Sequence, residues 1–104
     1  MYRIIFKHRP KEGQEEEFIK QWQKGSDVIQ TYPGALGTKL FRKIGESGAL
    51  YAMAEWESKE ARDAAIVAIE NDLPNAQEIL HKHESYLESH ETLGAFELIA
   101  ESRA

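Results

Sequence analysis

A Pro-Gly pair one third of the way along the chain, Pro33-Gly34, places the strongest constraint on the fold. Proline lacks the amide hydrogen that a helix needs, and glycine adopts the positive φ of a tight turn, so the pair ends any preceding helix. Beyond it, side chains alternate in character over Leu36–Ile44 and again over Leu50–Trp56. This alternation predicts two strands joined by a turn at Gly45-Glu46-Ser47-Gly48.

The residues before the Pro-Gly pair predict a strand followed by an amphipathic helix. Side chains alternate from Tyr2 to His8, so the even-numbered residues of this strand share one face, which is mainly apolar. From Gln14 to about Gln30, apolar residues recur at helical spacing. Gly25, near the middle of this helix, indicates either a loosened or kinked helix or a close packing contact.

The second half of the chain repeats the pattern of helix and strand. Ser58 is placed to cap a helix that is broken at Pro74, because proline cannot continue the ladder of hydrogen bonds. A second helical piece is predicted from about Ala76 to Ser89, and a last strand over Thr92–Ala100. The order βαββαβ predicts one ferredoxin-like α+β domain over residues 1–104, with a four-stranded antiparallel sheet and its helices on one face.

The strands predict a second apolar sheet face that this chain has no segment left to cover. Ile5, Phe41, Tyr51 and Met53 alternate with the residues expected to face the helices. A second copy of the same sheet would cover them, so we expect a homodimer packed sheet to sheet.

Charge and cysteine content exclude several classes of function. The net charge is −5, which disfavours nucleic-acid binding because phosphates require clustered cations. The chain has no cysteine, so disulfides, thiolate metal sites and a cysteine nucleophile are excluded. Neither a signal peptide nor a membrane-spanning run of apolar residues is evident, and we expect a soluble cytoplasmic protein.

Four histidines are the candidates for acid–base chemistry. His81 and His83 are two residues apart, which places them on different sides of a helix, so we expect no metal site there. His83 lies on the predicted inner face, either as a hydrogen-bonded core residue or as a polar group that lines a pocket and transfers protons. His8 ends a strand among basic neighbours, and His81 and His90 are expected to face solvent.

The aromatic residues raise a similar choice between a core and a ligand pocket. They are Phe6, Phe18, Trp22, Tyr51, Trp56 and Phe96. The sequence contains no nucleophile elbow, no glycine-rich phosphate loop and no pair of carboxylates typical of a two-carboxylate site. The sequence therefore identifies no candidate nucleophile.

Several short segments together resemble the antibiotic biosynthesis monooxygenase (ABM) domain family, closely over residues 2 to 65 and by topology beyond. The most specific are the Pro33-Gly34 turn and the passage from strand to helix at Trp56–Ala61. The segments are Phe6, Pro10-Lys11-Glu12-Gly13, Phe18-x-x-x-Trp22, Tyr32-Pro33-Gly34-Ala35-Leu36-Gly37, Leu40-Phe41-Arg42 and Tyr51-x-x-x-Glu55-Trp56-Glu57-Ser58-Lys59-Glu60-Ala61.

The resemblance implies a dimeric α+β barrel and, as one activity, a monooxygenase that oxidises a small phenol or quinol with O₂ and no cofactor. Such a reaction requires removal of a proton and a dry pocket that stabilises the resulting anion. Residue types suited to these roles are His83 as base, Trp56 as stacking wall, Tyr51 as hydroxyl donor and Arg42 as anion partner, although no motif fixes them. The expected pocket residues are Phe6, Phe18, Trp22 and Phe96.

Two alternatives remain open at this point. The chain could be a non-catalytic dimer that binds a small ligand or serves in a stress response. Some relatives degrade haem with an asparagine on the first strand, a tryptophan in the second helical region and a histidine after it. This chain has Phe6 and Lys7 near the first position and Ala65 at the second, and only His81 or His83 remains, so haem degradation is disfavoured.

Overall fold

The computed structural model describes residues 1–104 and has the predicted order of strands and helices. The elements are β1 Tyr2–Pro10, α1 Glu15–Ile29, β2 Ala35–Arg42, β3 Leu50–Trp56, α2 Lys59–Asp72, α3 Ala76–His81, a 3₁₀ helix at Lys82–Tyr86 and β4 Leu87–Glu97. The fold is α+β and ferredoxin-like, as the sequence predicts. None of its helices combines the length and the apolar character needed to cross a bilayer.

Antiparallel pairing joins the four strands in the order β2-β3-β1-β4. In the centre of the sheet, Phe6 pairs with Ala52 of β3 and with Thr92 of β4. An irregularity between Ile5 and Phe6 shifts the register of β4, so that Ile5 pairs with Gly94. The even-numbered residues of β1 share the face that packs against the helices, as predicted.

The Pro33-Gly34 turn connects α1 to β2 as the sequence predicts. Gly34 has a φ of 88°, a backbone conformation that residues other than glycine rarely adopt. A Cβ at this position would also lie 2.5 Å from the Cβ of Ala61. The backbone amide of Glu57 donates to the Gly34 carbonyl at 2.8 Å, so the turn ties the start of β2 to the end of β3.

Two small apolar clusters pack the helices, one against the sheet and the other against one another. Phe18 of α1, Leu50 of β3 and Leu87 of β4 form the first, and the second joins α2 to α3 through Ile69 and Leu80. Phe18 and Ile69 are completely buried. The clusters leave a gap between the sheet and the helices, where the cavity described below lies.

The second helical region differs from the prediction beyond His81. Ser58 caps α2 by accepting a hydrogen bond from the Ala61 amide at 3.0 Å, and the helix ends before Pro74, as predicted. The predicted helix over Ala76–Ser89 is wrong: α3 ends at His81, a 3₁₀ turn follows, and β4 already begins at Leu87. Pairing of β4 with the whole length of β1 overrides the local helical pattern.

The other sheet face carries no helix. Ile5, Phe41, Tyr51 and Met53 lie there, as predicted, and Phe96 of β4 joins them opposite Arg3. Phe41 and Phe96 are about half exposed, at 47% and 50%.

Candidate functional site

A cavity of about 350 Å³ lies between the sheet and the helices, within the range of small-molecule sites in proteins. Half of its twenty lining residues are hydrophobic. The apolar and aromatic lining includes Ile4, Phe6, Trp22, Ile29, Ala52, Ala54, Trp56, Ile66 and Leu80. Both tryptophans of the chain belong to this lining. The walls thus present flat aromatic surface on which a ring-shaped ligand can stack.

His8 of β1 lies at one end of the cavity and is almost fully buried, at 5% exposure. Its ring stacks on Phe6, with centroids 6.0 Å apart and planes inclined by 23°, and its centroid lies 5.2 Å from that of Phe18. Its Nδ1 atom has no hydrogen-bond partner within the protein. A buried polar atom without a partner is costly, so this nitrogen is a candidate for a contact with a ligand.

His83 and His90 lie next to His8 and complete a group of three imidazoles. The 3₁₀ helix carries His83, whose ring meets that of His8 edge-on with centroids 6.0 Å apart. The Nδ1 of His83 is also buried and unpaired. His90 pairs with His8 across β1 and β4, with centroids 6.3 Å apart. The antiparallel register and the early start of β4 bring this third ring to the cavity.

The surroundings of His8 and His83 disfavour the charged forms of these two rings. Burial, and then repulsion from His83 and His90, lowers the pKa of His8 to about 4. Burial is also the main cause that lowers the pKa of His83, against a smaller opposite effect of Glu84. Both imidazoles are therefore neutral at pH 7 and can accept a proton from a ligand.

Acidic groups are sparse around the cavity. Glu84 is its only carboxylate, and it lies 3.1 Å from the exposed His81 ring at the same end. No group of three or more His, Cys, Asp or Glu side chains is arranged to hold a metal ion.

The opposite end of the cavity has a different character. Trp56 at the end of β3 and Ile66 of α2 line it together with Arg62, the only lysine or arginine that reaches the cavity. Arg62 donates from Nη1 to Asp63 Oδ1 at 3.1 Å. The cavity therefore has neutral imidazoles at one end and a permanent cation at the other.

Of the four side chains suggested as catalytic, the structure brings two to the cavity. His83 and Trp56 line it. Tyr51 lies on the helix-free face, where its hydroxyl donates to Glu46 Oε1 at 3.0 Å. Arg42 ends the outer strand β2 and pairs with Glu15 of α1. Neither Tyr51 nor Arg42 lines this cavity, although Arg42 lies on the helix side of the sheet and lines a neighbouring pocket between β2 and α1.

The four expected pocket residues divide in the same way. Phe6 and Trp22 line the cavity. Phe18 lies behind the histidines as a core residue, with its ring centroid 5.8 Å from that of His83. Phe96 lies on the helix-free face and packs over Gly94.

Sequence reasoning missed His8, His90 and Arg62 as cavity residues; His90 is exposed, as expected, but it also lines the cavity. The alternation of β1 places His8 on the same face as Ile4 and Phe6, which is a signal for the cavity. Lys7 and Arg9, its basic neighbours in sequence, point to the other face and are uninformative about it. No local pattern identifies Arg62, because its position depends on how α2 crosses the end of β3.

Comparisons with known proteins agree with this architecture. The family model described as antibiotic biosynthesis monooxygenase matches residues 1–65. No curated protein matches the sequence of the chain.

Three solved structures illustrate the likeness in fold. A variant of SnoaB, a cofactor-independent oxygenase from Streptomyces nogalater, is 16% identical with a TM-score of 0.78, covering 96% of this chain and 94% of that one. A conserved protein from Methanosarcina mazei Go1 is also 16% identical, with a TM-score of 0.73 and coverage of 91% and 89%. PA3566 from Pseudomonas aeruginosa is 13% identical, with a TM-score of 0.70 and coverage of 95% and 94%. At these identities the likeness establishes the shared fold.

Proposed function

The chain belongs to the antibiotic biosynthesis monooxygenase family, and we propose that it oxidises a small aromatic phenol or quinol with O₂ in the cavity between its sheet and its helices. The proposed reaction uses no metal or flavin cofactor. The observation that carries the proposal is a neutral, unpaired imidazole, His83, at one end of a cavity walled by Phe6, Trp22 and Trp56. The description of SnoaB as a cofactor-independent oxygenase supports the same class of reaction.

The first step is removal of the hydroxyl proton of the substrate. His83 is the base, because it is only half-buried and reaches the cavity, whereas His8 lies almost fully buried beside it. A ring nitrogen of His83 accepts the proton, and the phenolate or quinolate that remains is electron-rich. The aromatic walls exclude water from this anion and hold its ring flat.

The second step is reaction of the anion with O₂. The ring supplies the electrons, one oxygen atom bonds to a ring carbon that carried hydrogen, and the O–O bond then breaks. The second oxygen leaves as water with two hydrogens that come from the substrate. A phenol thus becomes a quinone, and a quinol becomes a hydroxyquinone. In each case O₂ is the only oxidant and the substrate the only reductant.

The helix-free sheet face supports a further part of the proposal, a homodimer. Ile5, Phe41, Met53 and Phe96 expose apolar surface there, and a second sheet would bury it. Two pairs of charges on this face are formed within the chain, Arg3 with Glu55 at 2.8 Å and Lys7 with Glu46 at 3.4 Å. These four side chains would therefore enter an interface with their charges already paired.

Oxygen uptake with a panel of phenols and quinols tests the proposal. We expect one O₂ consumed per substrate oxidised, in buffer containing a metal chelator. The His83→Ala variant should lose about 10²-fold or more of the rate, the usual contribution of a general base. Lys82→Ala, an exposed neighbour on the same 3₁₀ turn, is the matched control and should keep the wild-type rate.

The outcome also separates catalysis from simple binding. An unchanged rate in His83→Ala would contradict the assigned base. No uptake with any substrate, together with tight binding of an aromatic ligand, would favour a non-catalytic ligand-binding protein over the oxygenase.

A further inference from the structure

We infer that the cavity selects aromatic substrates that carry a carboxylate at the end remote from the oxidised hydroxyl, and that Arg62 binds this carboxylate. The inference rests on the proposed function for the orientation of the substrate. It adds the chemical class of the substrate and a specificity-determining residue.

Arg62 lies at the opposite end of the cavity from the histidines. Trp56, at the end of β3, pairs with Tyr2 at the start of β1, whereas His8 and its partners Leu50 and His90 lie at the other end of the same strands. The distance along β1 from Ile4 to His8 alone is about 13 Å at 3.3 Å per residue. Ala61, next to Arg62, packs against Gly34, and the Gly34 carbonyl accepts a hydrogen bond from the Glu57 amide. Because Glu57 directly follows Trp56, the first turn of α2 lies at the Trp56 end of the cavity.

The charge of Arg62 is available to a ligand. Its neighbour Asp63 already receives a hydrogen bond from Lys59 Nζ at 2.7 Å, shorter than the 3.1 Å bond from Arg62. Lys59, Arg62 and Asp63 together carry one net positive charge, so the aspartate does not cancel both cations. A guanidinium has five N–H donors, and the bond to Asp63 occupies one of them.

The rest of the lining favours an anion at this end and opposes one at the other. The histidine end holds neutral imidazoles and Glu84, whose carboxylate repels a second carboxylate. At the Arg62 end, the lining residues Trp56 and Ile66 are apolar and offer no competing negative charge, and the Arg62 side chain is 39% exposed. The fork of the guanidinium also matches both oxygens of a carboxylate.

The test compares two ligands that differ in this charge and by one methyl group. The probes are 6-hydroxy-2-naphthoic acid, with hydroxyl and carboxyl at opposite ends of a flat two-ring system, and its uncharged methyl ester. Isothermal titration calorimetry without oxygen at pH 7.5 measures the Kd of each. We expect the wild-type protein to bind the acid about tenfold more tightly than the ester, as befits a hydrogen bond to a charged group.

Three variants assign the preference to Arg62. Arg62→Gln should bind both probes equally, and Arg62→Lys should keep part of the preference. Lys24→Gln removes the same charge from the exposed side of α1, away from Arg62 and Asp63, and should keep the full preference for the acid. A preference that survives in Arg62→Gln would overturn the role of Arg62.

Binding without turnover separates this inference from the proposed function. Equal binding of acid and ester by the wild-type protein would overturn the inference and leave the oxygenase proposal standing. Binding of neither probe would contradict both, since the cavity would not then be an aromatic-ligand site.

Discussion

His8 is the side chain whose pKa the fold lowers most, so protonation of its ring destabilises the folded state. It is almost fully buried, and Phe6, Phe18, His83 and His90 surround its ring. None of these neighbours carries a negative charge, and Glu84 has only a minor opposing effect. The native protein therefore keeps His8 neutral, whereas the unfolded chain protonates it near its ordinary pKa of 6.5.

This difference predicts a loss of stability in mild acid. As pH falls below 6.5, the unfolded state binds a proton that the folded state rejects until about pH 4, so the free energy of unfolding decreases across this window. The decrease from His8 amounts to about 3 kcal/mol, at 1.36 kcal/mol per pKa unit. Urea unfolding at fixed protein concentration over pH 4 to 7.5 measures it.

His8→Gln removes the titrating group and should flatten this pH dependence, leaving the smaller contribution of His83, which has the same sign. His81→Gln, on an exposed ring, is the control and should retain the wild-type slope. An equally steep slope in His8→Gln would show that His8 is not the group responsible.

The sequence predicts which face of a strand a residue lies on, but it only partly predicts which residues line the cavity. Period-two alternation correctly separates the faces of β1 and β3, and it places Tyr51 on the helix-free face. Its selection as a catalytic residue rested on residue type and family resemblance, as did that of Arg42. The cavity role of Arg62 depends on the crossing of α2 over the sheet, which no local pattern encodes.

Gly25 fixes the distance between helices α1 and α3. It is buried, and a Cβ built on it would lie 2.9 Å from the carbonyl oxygen of Ile79. Helix α1 runs unbroken through this position from Glu15 to Ile29. Of the two sequence-based explanations, close packing is the one that the structure supports.

We expect Gly25→Ala to destabilise the protein by about 1 to 3 kcal/mol, because the added methyl group forces two backbones apart. Intrinsic helix propensity alone would predict the opposite, a gain of up to about 1 kcal/mol. Thermal or urea unfolding measures the sign of the change.

Lys24→Ala, one residue earlier on the exposed side of α1, is the matched control and should change stability by less than about 0.5 kcal/mol. A stabilised Gly25→Ala protein would mean that α1 and α3 are not in close contact.

The secondary structure was predictable where local pattern and tertiary pairing agree. Pro33-Gly34, the Ser58 cap and the break at Pro74 each act through their nearest neighbours, and all three predictions are confirmed. The segment after His81 is different, because Tyr86 and Leu87 continue a helical spacing. Leu87 instead opens a strand whose partner, Pro10, is far away in sequence.

Across the whole molecule, the helix-free face of the sheet is the feature that a monomer leaves unexplained. Sedimentation at micromolar concentration should show a species of twice the chain mass of 11.9 kDa. Phe96→Glu places a charge on this face and should shift the equilibrium toward the monomer. Ile44→Glu, in the exposed β2–β3 turn at 95% exposure, should leave the dimer intact. A wild-type protein that sediments only as a monomer would contradict the expected partner sheet.

The central claim is that the cavity supports transfer of one oxygen atom from O₂ to an aromatic substrate. Mass spectrometry of the product formed under ¹⁸O₂ tests it most directly. We expect one labelled oxygen in the quinone product of wild-type protein, and about 10²-fold less labelled product over the same time with His83→Ala. An unlabelled product, with its oxygen from water, or label unaffected by His83→Ala, would contradict the claim.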